Sequence, residues 1–178
     1  MVIRKNIMDK KLTTQASGVR VLGIDPGTAT VGWAIIEEVN GVLCPLAFGH
    51  ISTEKTESEE NRLCEISYDI RSIIEKYQPQ EAAVEQLFFF KNKKTIISIG
   101  QSRGAILLTL EQKNVRISSY TPLQVKQSVT GYGKAEKKQV QLMVKNILKL
   151  TSVPKPDDVA DAIAVAICHI NSRKINSF

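Results

Sequence analysis

The sequence predicts an α/β fold: one mixed five-stranded sheet of strand order 3-2-1-4-5, flanked by helices within a single domain. Three observations lead there. Three apolar, strand-like runs come first, and the second and third are separated by Asn40-Gly41, a dipeptide that suits a two-residue hairpin because both residues tolerate positive φ. Two further strand-like runs then alternate with segments of helical periodicity, which implies right-handed crossovers and parallel pairing added to the meander. Finally, 178 residues with 43% hydrophobic content suffice for one packed core, and no repeat, linker or low-complexity tract divides them.

The elements follow in order. "VRVLGID" is a short apolar run stopped by Pro26-Gly27, hence a strand ending at Asp25. "TVGWAIIEEV" and "GVLCPLAFGHIST" form the hairpin around Asn40-Gly41. Between residues 57 and 77, Leu63, Ile66, Ile70, Ile73, Ile74 and Tyr77 recur at helical spacing, and Pro79 ends that helix. "EAAVEQLF" is the fourth strand, ending near Glu85. Asn92 is placed to cap a helix running to about Lys113, and "VRISSY" is the fifth strand. Thr121-Pro122 suits an N-cap followed by the first helical position, opening a short helix that Gly131 closes. A lysine-studded amphipathic helix is expected over residues 135–150, turning Val140, Met143, Val144, Ile147 and Leu148 inward. After Pro154 and Pro156, a strongly apolar helix starts at Asp157, its expected N-cap, and runs to about Ile170. Residues 1–18 are polar and expected to form a disordered extension, 19–171 the folded domain, and 172–178 a flexible tail.

Composition narrows the function classes. No apolar run approaches the length needed to span a membrane, and the first residues lack the apolar stretch of a secretory signal. Cys44, Cys64 and Cys168 show no CxxC spacing, which argues against a zinc site or disulfide framework and suits a reducing cytoplasm. The net charge of +6 conceals an asymmetry. Residues 19–78 hold 5 basic and 10 acidic side chains, whereas residues 79–150 hold 12 basic and 4 acidic. A basic second half suits a polyanionic partner.

The predicted sheet gathers carboxylates. Asp25 and Glu85 end adjacent parallel strands at the same edge, where open α/β sheets place their sites. Asp158 and Asp161 lie three apart near the start of the last helix, so they share a face. If that helix packs on the sheet, as its apolarity demands, the four converge. Unpaired, they would raise one another's pKa; hard divalent cations such as Mg²⁺ or Mn²⁺ would remove that cost. Two such ions can activate water and stabilise a leaving oxygen in phosphodiester cleavage. The opening stretch "GIDPGT" has a second reading as the phosphate loop of an actin-like or sugar-kinase ATPase, although such an enzyme needs a second large lobe. A non-cutting DNA-binding scaffold is a further alternative, against which the intact carboxylates speak.

Taken together, "GIDPG", "VEQLFFFKN", "GQSRG", "QVKQSVTGYGKAEKKQV" and "DDVADAIAVAICH" resemble the RuvC-type Holliday junction resolvases of the ribonuclease-H-like superfamily, over residues 19 to about 170. The resemblance implies a nuclease with a metal-binding tetrad at Asp25, Glu85, Asp158 and Asp161, holding two Mg²⁺ for which Mn²⁺ can substitute. It implies a homodimer that grips four-way junction DNA and nicks two strands of like polarity at a short T-rich sequence, leaving 5′-phosphates. It also implies a bacterial cytoplasmic, nucleoid-associated setting and a RuvA/RuvB-type branch-migration complex as partner. Asp25 would bridge the ions, Glu85 and Asp161 would complete one shell each, and Asp158 would complete the second site or orient water. Phe88 is implied as a residue stacking on an unpaired base, followed by the basic Lys91; Lys126 and Lys137 are implied near the scissile phosphate. Arg103, in "GQSRG", either touches backbone phosphate or pairs with an acid. Val31 and Ala34 stand where the family often has Thr and Gly, and some members carry His at the position of Asp158. His50, His169 and Trp33 give no independent signal. Other ribonuclease-H-like nucleases, acting on RNA–DNA hybrids or flaps, share the strand order and the tetrad, and only the longer motifs favour the junction resolvases.

Overall fold

The computed structural model describes residues 18–87 and 93–175. Five strands form one sheet: β1 (Val19–Asp25), β2 (Thr30–Val39), β3 (Val42–Ser52), β4 (Glu81–Glu85) and β5 (Arg116–Tyr120), in the order β3-β2-β1-β4-β5. β1, β2 and β3 pair antiparallel, while β1–β4 and β4–β5 are parallel. This is the expected ribonuclease-H-like order. Asn40 and Gly41 take φ of 51° and 80°, the left-handed pair that a two-residue hairpin needs to follow the strand twist. A register shift at Ile35/Ile36 bulges the hairpin beside Pro45, which the edge strand tolerates because edge strands have unpaired donor positions.

Helices cover both faces. On one lie α1 (Glu59–Tyr77) and α2 (Lys93–Gln112); on the other lie α3 (Pro122–Thr130), α4 (Lys137–Ile147) and α5 (Asp157–Ile175). Strand alternation divides the sheet's side chains between two cores. Leu22, Ile24, Val31, Trp33, Ile35 and Val84 face α1 and α2, whereas Val21, Ala34, Ile36 and Ala83 face α5. Local signals set the helix ends. Ser58 accepts a bond from the Asn61 N–H to start α1, and Gln78 in the left-handed region (φ 51°) closes it before Pro79. Thr121 caps α3 with Pro122 as its first residue, and Gly131 at φ 75° ends it.

Three expectations need correction. α4 is shorter than residues 135–150: the Glu136 N–H is taken by the Gln139 side chain, and Lys149 turns left-handed at φ 51°, so the chain leaves the helix at both ends. Asp157 is a first-turn residue of α5 rather than its N-cap, and its carboxylate bonds the Lys155 ammonium at 2.8 Å. Residues 172–175, expected in a flexible tail, continue α5, because Arg173 ties the last turn to Glu81 (2.9 Å) and Glu38 (3.7 Å). Glu81 also accepts from Arg116 at 2.7 Å and meets the His169 ring at 2.7 Å, while the Tyr120 hydroxyl meets the other ring nitrogen at 2.8 Å. His169 is therefore a satisfied buried group that locks α5 to β4 and β5.

What positions the site is the docking of α5. From Val159 to Ile170 only Asp161 escapes full burial, and alanines at 160, 162, 164 and 166 keep the helix thin. The sheet answers with glycine. A Cβ at Gly23 would run into the Ala162 carbonyl, and one at Gly32 into the Asp158 carbonyl. Backbone thus rests on backbone at these two points, which fixes where the carboxylates of α5 arrive.

Candidate active site

Asp25 is the last residue of β1 and Glu85 the last of β4, in register through the Ile24–Val84 pair. Each lies an even number of residues from a side chain in the α5-facing core, Val21 and Ala83, so both carboxyls emerge on that face. Opposite Asp25 on β2 stands Gly32, against which the backbone of Asp158 packs. Asp161 lies one turn further along α5, and its Oδ2 accepts from Lys137 Nζ at 2.9 Å. The four predicted acids therefore meet at one rim, drawn from three separated parts of the chain.

Their electrostatics show a cluster short of positive charge. Burial pushes the Asp25 carboxyl well above its usual range, and the charges of Glu85, Asp161 and Asp158 push it further. Burial, with Asp161 next, lifts Glu85 to about 7, although its hydrogen bond with Asp25 works the other way. Asp161 is raised by burial, an effect that Lys137 opposes. Burial would lower the Lys137 ammonium, but the bond to Asp161 and the surrounding carboxylates outweigh it and hold the group above its ordinary value. Among the described residues, no three His, Cys, Asp or Glu side chains close into a ready-made coordination shell.

The other predicted residues fall into separate places. Lys126 and Lys137 line a cavity of about 170 Å³ with Pro122, Val125 and Val140, open to Glu85 and Asp161. Both lysines sit beside the acids. Among the described residues Arg103 pairs with no acid: its Nε donates to the Glu85 carbonyl (3.1 Å) and a terminal nitrogen to the Ser119 hydroxyl (2.8 Å). It braces the ends of β4 and β5, holding Glu85 from behind. Phe88 and Lys91 lie outside the described residues. Gly23 and Gly32 were missed as site residues, although glycine inside a strand is a signal of close backbone approach.

The model of the family described as crossover junction endodeoxyribonuclease RuvC matches residues 21–169. The chain belongs to the RuvC family. That membership makes it a nuclease, and it sets aside the kinase-like reading of "GIDPGT". The RuvC of Fusobacterium nucleatum subsp. nucleatum is 55% identical over 155 residues, covering 86% of this chain and 81% of its own. That of Caldicellulosiruptor saccharolyticus is 54% identical over 155 residues, covering 86% and 93%. Among solved structures, Thermus thermophilus RuvC in complex with a Holliday junction substrate superposes with a TM-score of 0.84 at 31% identity, over 89% of this chain and 97% of that one. The RuvC family is metal-dependent, and the cluster described above offers the hard oxygen donors and surplus negative charge that a divalent cation requires.

Proposed function

We propose that this RuvC-family chain resolves four-way DNA junctions as a homodimer, each protomer hydrolysing one phosphodiester at its carboxylate cluster. The observation that carries the reading is the docking of α5 on Gly23 and Gly32, which sets Asp158 and Asp161 beside Asp25 and Glu85. The paired cuts would fall on strands of like polarity at a short T-rich sequence and leave 5′-phosphates.

Asp25, Glu85, Asp158 and Asp161 would hold the metal, two Mg²⁺ per site with Mn²⁺ as a substitute. Bound there, the ions supply an acidified water and positive charge for the oxygens of the reacting phosphate. The protein does the rest. Glu85, close to half-protonated at neutral pH without a cation, gives up its proton when positive charge arrives. Lys137 stays an ammonium, and lies within reach of both Asp161 and the neighbouring cavity. Its charge can be shared with a phosphate oxygen as strand and carboxylate approach one another. Lys126 neutralises phosphate on the same side. Arg103 keeps Glu85 from tilting as charge builds up. Phe88 would stack on a base freed at the crossover and Lys91 would meet backbone beside it.

The dimer face is assigned to α2. Ile97 (65% exposed) and Leu108 (60%) share a stripe with Gln101 and Gly104, all at helical spacing. Apolar side chains so exposed along one face suit burial against a second copy. Among the described residues no helix is long and apolar enough to cross a membrane, and we place the enzyme in the bacterial cytoplasm at the nucleoid, receiving junctions from a RuvA/RuvB-type complex. The test is direct: a labelled four-way junction, a flap and an RNA–DNA hybrid, each with Mg²⁺ or with chelator. Paired, metal-dependent nicks confined to the four-way substrate are expected; cutting of the hybrid alone would refute the reading.

A further inference from the structure

The acids have two flanks. Lys126 and Lys137 stand on the α3–α4 side. On the other side, the β1–β2 turn and residues of α1 and α2 line an open groove of about 550 Å³ that reaches Asp158. Its polar lining is Thr28, Thr30, Arg62, Ser98 and Asp158. Among the described residues Arg62 is the single basic one there, and it is held in place. Its Nε donates to Thr53 Oγ1 at 2.8 Å, and the Thr53 hydroxyl in turn donates to the Thr28 carbonyl at 2.7 Å. The guanidinium is thus tethered by one nitrogen to the turn that follows Asp25, and among the described residues no acid pairs with its two terminal nitrogens. Of the acids close to it in sequence, Glu57 accepts from the Asn61 amide at 3.1 Å and Glu60 bonds Ser58. Across the groove, Thr28 Oγ1 and Ser98 Oγ lie 2.7 Å apart. Two hydroxyls so paired use one proton between them, which leaves the other for a ligand.

We propose that this groove holds a second phosphodiester of the strand being cut, adjoining the one at the carboxylates, with the Arg62 fork and the Thr28–Ser98 hydroxyl pair as its donors. The proposal deepens the nuclease reading above and rests on it. A DNA strand brings one negative charge per nucleotide to a rim that already carries four acids, so the phosphates on both sides of the scissile one need positive partners. The lysines serve one flank, and Arg62 serves the other. An arginine anchored through Nε presents its remaining N–H groups in a fixed plane, the geometry that binds a phosphate through two oxygens. Because the anchoring Thr53 hydroxyl is itself bonded to the turn leaving Asp25, the phosphate held by Arg62 is set in register with the bond to be broken. Arg62 is in this sense a strand-positioning residue.

The test uses Arg62→Ala and Arg62→Lys with four-way junctions in which single phosphates around the cut are replaced by neutral methylphosphonates. Junction binding is measured in chelator as a function of salt, and cleavage in Mg²⁺. Arg62→Ala is expected to lower kcat/KM by about tenfold or more and to reduce the salt slope of binding by about one. One neutral position next to the cut should cost the wild-type protein as much, and cost Arg62→Ala nothing further. Arg62→Lys should restore the salt slope but only part of the cleavage. Wild-type cutting by Arg62→Ala, or losses that multiply at every neutral position, would overturn the proposal. If Arg62→Ala is too unstable to assay, judged from its thermal midpoint, the wild-type scan decides, since neutral phosphates tolerated on both sides of the cut leave the groove without this ligand. A wild-type protein that binds no junction fails the function itself, an outcome separate from failure of the groove.

Discussion

At the scale of single residues, the site is an excess of carboxylate held close to a minimum of positive charge. Asp25 is the most heavily opposed of the acids, pressed by burial and by three like charges. Asp25→Asn removes one of those repulsions along with a proposed metal ligand. Cleavage should fall below detection while junction binding, by mobility shift, persists or improves; unchanged cleavage would remove Asp25 from the chemistry. Glu85 gives a pH prediction for the protein in chelator. Its carboxyl titrates near 7 in the folded state, against about 4.5 unperturbed. Between those values the folded state binds the proton that the unfolded state has lost, so stability is greatest near the lower pH and falls as pH rises through 7. The full loss is on the order of 3 kcal/mol, shared with its partner Asp25. The thermal midpoint of chelated protein should therefore drop between pH 5 and pH 8, and added Mg²⁺ should raise it more at pH 8 than at pH 6. A midpoint that climbs over that range would contradict the assignment.

At the scale of elements, geometry comes from how closely α5 can approach β1 and β2. Gly32→Ala places a methyl group against the Asp158 carbonyl and must displace the helix. Overpacking of this kind costs about 1–3 kcal/mol, and the larger effect should fall on kcat, because Asp158 moves relative to Asp25. Denaturant titration and cleavage of the same preparation would separate the two; full activity in Gly32→Ala would show that the contact does not position the acids. This is also where the sequence was least informative. Strand order was legible because Asn40-Gly41 forces a hairpin and because the helical segments alternate with strands. The four acids were legible because strand ends and an i, i+3 pair can be placed without coordinates. Gly23 and Gly32 acquire meaning only once a helix remote in sequence lies on them. Arg103 was undecidable for a similar reason: its partners are a backbone carbonyl and a hydroxyl, which leave no trace in a charge pattern. The end of α4 was overextended because Leu148 is buried like a helical core residue, although Lys149 has already left the helix.

At the scale of the whole molecule, the proposed paired cutting needs two sites fixed relative to one another. Leu108→Asp puts a charge on the exposed stripe of α2. It should yield monomers by sedimentation, with a fold unchanged by circular dichroism, and junctions bearing single unpaired nicks. A dimeric Leu108→Asp protein would move the interface elsewhere. The arrangement of the chain has one more consequence, which concerns synthesis. α5 brings Asp158 and Asp161 and also covers one face of the sheet, yet among the described residues it comes last of ten elements in chain order. A polypeptide still lacking it leaves that face of the sheet uncovered and lacks two of the four proposed metal-binding acids. Products that end before α5 are therefore expected to be inert and open to proteolysis, which would guard against a half-built nuclease.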